Sequence, residues 1–188
     1  MHLFKVFVVL LLLLGAFASC EESVRLFQSD SNNWVTEGNA QWRFIEEVLE
    51  GSCAGTEGFV MTKKAYQNFE LELEFYPDST INSGVFVRCK AIALSAADCH
   101  EMNIWDLHPK PEFRTGAVVT KANPEITVNT LNKWNTYKIR CMDNQVNVWV
   151  NDSLTAAFLD DTLGTGHIGL QAAGNGTIRF RNITLQAL

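Results

Sequence analysis

Phe69-Glu70-Leu71-Glu72-Leu73-Glu74-Phe75 is the stretch whose reading decides the fold. Apolar and acidic residues alternate strictly there, and only an extended chain sends successive side chains to opposite faces. The stretch is therefore a strand with one face in a core and the other in water. The same period of two recurs in Ser83–Cys89, in Trp134–Cys141, in Val146, Val148 and Val150, and in Thr177–Leu185. Clusters of turn-forming residues separate these runs: Pro77-Asp78-Ser79, Met142-Asp143-Asn144, Asn151-Asp152 and Gly174-Asn175-Gly176. Many short strands with turns at regular spacing predict an all-β chain, an antiparallel sandwich or jelly roll of two sheets, rather than βαβ units. Phe69, Leu71, Leu73, Val85, Val87, Ile104, Val148 and Ile168 are its expected core. Only Glu46–Glu50 and Leu159–Leu163 are read as helical turns.

The start of the chain reads as an export signal. Lys5 precedes the apolar run Val6–Leu14, which is too short for a membrane-spanning helix, and small residues follow. Ala16-Phe17-Ala18 fits ordinary signal cleavage, whereas Phe17-Ala18-Ser19-Cys20 resembles a bacterial lipobox in which Cys20 takes the lipid. Cysteine parity favours the lipobox, because it leaves Cys53, Cys89, Cys99 and Cys141, an even number for an exported chain. The expected organisation is a signal peptide over 1–19, a lipid anchor and polar tether over 20–33, and one domain over 34–188. The expected location is the bacterial cell envelope, with a secreted soluble protein as the alternative. Cys89 and Cys99 each border a strand across a short loop, so a disulfide there and buried free thiols are both open. None of the cysteines has the paired spacing of a zinc site.

The 188 residues carry a net charge of −6, and loss of Lys5 with the signal brings this near −7. Lys and Arg are scattered rather than clustered, which argues against a nucleic-acid partner. About 169 residues remain after the signal, enough for one domain with a substantial core. Gly164-Thr165-Gly166-His167-Ile168-Gly169 matches the dinucleotide fingerprint, yet no helical pattern follows and no βαβ unit surrounds it. A phosphate cradle needs a helix N-terminus as well as glycines, so this motif is read as a turn leading into a strand.

The candidate site lies in His100-Glu101-Met102-Asn103-Ile104-Trp105-Asp106. Alternation puts the Glu101 carboxylate and the Asn103 amide on one open face. Asp106 falls on the opposite face of a regular strand, and a β-bulge near Trp105 is expected to bring it back to Glu101. Arg88 shares strand parity with Gly84 and Phe86 and is expected on the open sheet. Of Lys63 and Lys64, only one can reach the site.

A longer pattern contains these residues. The blocks Thr62-Lys63-Lys64-Ala65-Tyr66-Gln67-Asn68-Phe69-Glu70-Leu71, Asn82-Ser83-Gly84-Val85-Phe86-Val87-Arg88, His100 to Asp106, Thr115-Gly116-Ala117, Trp134-Asn135-Thr136-Tyr137, Gly166-His167-Ile168-Gly169-Leu170-Gln171 and Phe180-Arg181-Asn182-Ile183 stand in an order that resembles the 3-keto-disaccharide hydrolase family. The resemblance implies a concanavalin-like jelly roll acting on glycosides oxidised to a ketone at sugar carbon 3. It implies Glu101 and Asp106 as catalytic residues, with Lys64, Asn82, Arg88, Asn103, Trp105 and Gln171 contacting the sugar. It further implies a carbohydrate substrate and a partner sugar 3-oxidoreductase, with the membrane reached through the lipid anchor alone. No cofactor is expected, and a divalent metal is left open. Two positions depart from the family pattern: Ala173 stands where a histidine is usual, and His100 where a tyrosine is. The spacing Glu101-x-Asn103-x-x-Asp106 is also that of laminarinase-like glycoside hydrolases. A carbohydrate-binding module using Trp105, Trp149 and Phe86 as sugar platforms is the remaining alternative.

Overall fold

The computed structural model describes residues 23–95 and 97–188; the expected signal peptide and Cys20 lie outside the described residues. Among the described residues eleven strands run in chain order: β1 (Val24–Arg25), β2 (Trp34–Gly38), β3 (Gln41–Ile45), β4 (Val48–Thr62), β5 (Phe69–Pro77), β6 (Ile81–Cys89), β7 (His100–Ile104), β8 (Asn135–Met142), β9 (Gln145–Val150), β10 (Ser153–Leu159) and β11 (His167–Ala187). All their pairings are antiparallel.

Two long strands, β4 and β11, organise the sandwich by passing through both layers. The first half of β11 pairs with β6, which carries β7 on its other side. The second half pairs with β5, and beyond β5 lie β8, β9 and β10. β4 follows β11 along both halves, with β3 beside its start and β2 beside its end. The front sheet is therefore β7-β6-β11-β4-β2, and the back sheet is built outward from β5. β11 changes layer at Gly174-Asn175-Gly176, where its register to β4 shifts by one residue. Gly174 and Gly176 both have positive φ there, and a Cβ on Gly176 would run into the Asp78 carboxylate. Asp78 in turn accepts from the backbone N–H groups of Thr80, Ile81 and Thr177, which fastens the β5–β6 turn to the bend.

The core lies between the layers. Phe69, Leu71, Leu73, Ile139 and Val148 of the back sheet meet Val85, Val87, Ile104, Ile168 and Leu170 of the front sheet, all buried. Every residue expected in the core is there. The alternating glutamates face water on the back sheet, Glu70 and Glu72 paired with Lys138 at 3.0 and 3.7 Å and Glu74 with Arg181 at 2.6 Å. Such exposed pairs add little stability.

Three expectations are corrected. Val24 and Arg25 of the expected tether form β1 on β11, and Leu26 and Phe27 are buried in the core, because their apolar side chains close the end of the sandwich. Glu46 and Glu47 make the β3–β4 hairpin turn, and residues 48–50 already belong to β4. Leu159 ends β10, and the residues after it turn around Asp160, whose Oδ2 accepts from the N–H groups of Thr162 and Leu163. The one helical piece among the described residues is a 3-10 turn, Pro111–Phe113. Cys89 and Cys99 are joined in a disulfide, while Cys53 and Cys141 are free.

Candidate functional site

The open face of the front sheet is set by strand parity. Across β7, β6, β11 and β4 the register aligns three rows of side chains that point away from the core. Asn103, Gly84, Gln171 and Phe59 form the first row, and Glu101, Phe86, Gly169 and Met61 the second. Asn82, Ala173 and Glu57 form the third. The front sheet thus gathers Glu101, Asn103, Asn82 and Gln171, four of the eight residues expected to act on a sugar.

Glycine makes room at the centre. A Cβ on Gly84 would lie 3.4 Å from Glu101 Cγ and 3.2 Å from the Phe86 ring, so the Glu101 side chain packs across the space that a larger residue would fill. Gln171 sits on the other side of Gly84, 7% exposed, and its Nε2 donates to Glu57 Oε1 at 2.7 Å. Its Oε1 is buried without a partner, and so is Oδ1 of Asn103, whose Nδ2 donates to the Phe113 carbonyl. Buried acceptors left open cost free energy unless something donates to them, and two of them lie on this one face.

Burial above all, and then the negative charge of Glu57, raise Glu101 from the ordinary carboxylate range to about 7. Glu50, Glu70, Glu72, Glu74 and Asp160 all find cations. Among the described residues neither Glu101 nor Glu57 has an ion-pair partner. A carboxylate held near neutrality on an accessible sheet suits proton transfer better than a structural role.

Next to the polar rows stands a small apolar cluster. Met61, Phe86 and the Cys89–Cys99 disulfide are buried in it, with Val35, Phe59 and Leu94 partly covering them. Phe86, only 2% exposed, is therefore a floor under its neighbours and not a sugar platform.

The remaining expected residues lie elsewhere. A bulge does occur, but in β6 and not at Trp105: the register to β11 shifts between His167 and Gly169, and Arg88 there has a φ of 55°. The extra residue reverses the parity of Arg88. Its guanidinium turns inward, donates to the carbonyls of Leu163 at 3.1 Å and Gln67 at 3.4 Å, and is 1% exposed. Asp106 opens a turn after β7, and its carboxylate accepts from Thr115 Oγ1 at 2.5 Å, Thr130 N at 2.6 Å and Thr130 Oγ1 at 2.7 Å. That carboxylate is saturated by loop donors, which removes the second acid of the laminarinase-like spacing. Lys64 lies 5.2 Å over the Tyr66 ring, in a hollow shared with Phe27 and Asn33, and does not join Glu101. Trp105 is half-buried and meets His108 edge-on at 4.5 Å, and His108 meets Phe113, so it belongs to the rim beside Asn103. Trp149 lies under Lys138 on the back sheet. His100 is buried on the core side, with its ring against Phe158 and Nε2 3.4 Å from Asp160. Burial holds it at about 4, so it is neutral at pH 7 and cannot stand in for the family's tyrosine on the open face.

Glu57 is the residue that sequence reasoning missed. It stands in Cys53-Ala54-Gly55-Thr56-Glu57-Gly58, where glycine and alanine erase the alternation that marks a strand face. The available signal was the apolar sequence Phe59-Val60-Met61 just after it, which counted back by two reaches Glu57. Among the described residues no group of three or more His, Cys, Asp or Glu side chains is placed to hold a metal ion.

This sandwich, with its open polar face, is a jelly roll of the kind found in carbohydrate-recognising proteins. A CBM66 carbohydrate-binding module from Bacillus subtilis superposes with a TM-score of 0.67 at 19% identity, over 86% of this chain and 99% of that one. A candidate glycosyl hydrolase from Parabacteroides distasonis superposes with a TM-score of 0.75 at 25% identity, over 89% of this chain and all of the other. A second candidate glycosyl hydrolase from the same organism gives 0.71 at 19% identity, over 83% of this chain and 88% of that one. No curated protein matches the chain by sequence. The chain belongs to the family of 3-keto-alpha-glucoside-1,2-lyase-like domains, whose model matches residues 22–186. Its function is therefore carbohydrate-related, and its architecture is that of a hydrolase-like jelly roll.

Proposed function

We propose that this chain cleaves 3-keto-glycosides at the anomeric carbon, with Glu101 as the base. The observation that carries this reading is the Glu101 carboxyl itself, which has no cation and no hydrogen-bond donor among the described residues and is held at about 7 on an open face beside two unsatisfied acceptors. A ketone at carbon 3 acidifies the hydrogen on carbon 2. A carboxylate can then remove that proton, the enolate expels the aglycone from carbon 1, and water adds to the resulting enone. An ordinary glycoside has no such acidic hydrogen. Gln171 Oε1 and Asn103 Oδ1 accept from sugar hydroxyls, and Asn82 extends the same polar face from the next row.

The test is aglycone release by the purified chain from a 3-keto-glucoside and from the matching unoxidised glucoside. Release from the first alone is expected. Cleavage of both substrates would sink the reading, and binding of sugar with turnover of neither would select a non-catalytic carbohydrate-binding module, the outcome that Ala173 at the family's histidine position makes worth testing. Because the substrate must be oxidised first, an enzyme that oxidises sugars at carbon 3 is the proposed partner.

We also propose that the chain is an envelope lipoprotein anchored through Cys20. Cys20→Ser expressed in a bacterial host is expected to move the protein from the membrane to the soluble fraction, and membrane association that persists would exclude the lipid.

A further inference from the structure

Resting on the reading above, we propose that Glu57 is a second acid–base residue of the same site, the one that protonates the departing glycosidic oxygen, and that Gln171 is the residue that positions it. Glu57 shares the open face with Glu101, and Gln171 links it to the row that holds Gly84 and Asn103. Gln171 is more than nine-tenths buried, and its amide is divided between two tasks: Nε2 holds the Glu57 carboxylate at 2.7 Å, while Oε1 has no protein partner. A purely structural glutamine would satisfy both ends within the protein. This one fixes a carboxylate with one end and leaves the other for a ligand.

The neighbours of Glu57 fit the role. Ala173, directly opposite it in β11, has only a methyl group, so nothing bulky separates Glu57 from Asn82 in the same row. The Glu57 side chain is exposed and is free of cations among the described residues. Glu101 registers its charge, so the two carboxyl groups stand within electrostatic reach of one another.

The protons of the reaction balance. As a carboxylate, Glu101 takes the proton from carbon 2. The electron pair of that C–H bond becomes the second bond between carbons 1 and 2, the bond from carbon 1 to the glycosidic oxygen breaks, and Glu57 gives its proton to that oxygen. Glu101 is then protonated and Glu57 ionised. In the return half, Glu57 takes a proton from water as its oxygen bonds to carbon 1, and Glu101 returns its proton to carbon 2. The enzyme is reset, and the sum is 3-keto-glycoside plus water to alcohol plus 3-keto sugar.

The experiment compares leaving groups with the full chain. A para-nitrophenyl 3-keto-glucoside releases a stable anion and needs no proton, whereas an alkyl 3-keto-glucoside must be protonated as it leaves. Glu57→Gln is expected to lose about 10²-fold in kcat on the alkyl substrate and less than about tenfold on the nitrophenyl substrate, the usual signature of a missing general acid. Gln171→Ala should show the same imbalance in milder form, with thermal unfolding measured in parallel to establish that both variants are folded. Equal losses on the two substrates, or no loss on either, would overturn the assignment. Failure of the unmodified chain to act on both would instead overturn the reading on which it rests.

Discussion

Glu101→Gln is expected to lower turnover of a 3-keto-glucoside by about 10²–10⁴ while making the folded protein more stable above neutral pH. Both effects follow from one proton. In the unfolded chain the carboxyl ionises near 4.5, and in the folded protein near 7, so the folded state holds the proton more tightly. At pH 4 both states are protonated and nothing is lost. As pH rises from 4.5 through 7 the folded state must ionise a half-buried carboxylate beside Glu57, which the unfolded chain ionises freely in water, and stability falls. Above 7 that loss is complete. A glutamine stays neutral throughout, so its stabilisation should be absent at pH 4 and full at pH 8. Activity of the unmodified protein on a para-nitrophenyl 3-keto-glucoside, which needs no acid, should run the opposite way, rising tenfold per pH unit toward about 7 and levelling above it, since the base acts only when ionised. Thermal melts at pH 4 and 8, together with the pH dependence of kcat/KM, check both halves. A variant that keeps its activity would remove Glu101 from the chemistry.

Asp106→Ala is expected to act on stability and not on chemistry. Asp106 draws Thr115 and Thr130 together, and Thr130 is held in turn through its carbonyl by Asn135 of β8, so a single carboxylate clasps the connection between β7 and β8. Hydrogen bonds to a charged group contribute about 1.5–3 kcal/mol each and are not additive, so a total loss of about 3 kcal/mol is reasonable. For a domain of this size that corresponds to a fall of roughly 6–12 °C in Tm. The folded fraction should retain turnover on a 3-keto-glucoside within about tenfold. A loss of 10²-fold with an unchanged Tm would restore Asp106 to the reaction. Thr130→Val removes the hydroxyl donor but keeps the backbone N–H, and it should cost about 1 kcal/mol, which separates the two contributions.

The strands were legible because their signal is local. Alternation along Phe69–Phe75 reports which side of a strand is wet, and no distant residue is needed to read it. All eight core residues expected from periodicity are buried for the same reason. Glu101 and Asn103 were placed on the open face by parity counted within their own strand, and Asn82 was reached through the ordered family blocks. Gln171 was reached only through the ordered family blocks, because Gly169 and Ala173 on either side of it give alternation nothing to show.

Parity counting fails wherever a strand gains a residue or ends. Arg88 was placed outward by two-residue counting from Gly84, and a single extra residue in β6 sends it inward. Nothing in Val85-Phe86-Val87-Arg88 marks the bulge, since its cause is the approach of Gly166, where even a Cβ would collide with the Arg88 backbone. Asp106 was misplaced for the related reason that β7 ends at Ile104, after which face no longer follows from number.

What the amino-acid sequence determined by itself was the fold class, the core and the one glutamate in seven residues around which a site could form. What only the tertiary structure decided was that glutamate's company. Glu57 lies 44 positions before Glu101 and two strands away from β6, and the two are brought to one face because β11 pairs with β6 on one side and β4 on the other. Strand order and register are set by how whole sheets pack, a sum over many contacts of long sequence separation, so the identity of a residue's neighbour across the sheet is not written in the residues beside it.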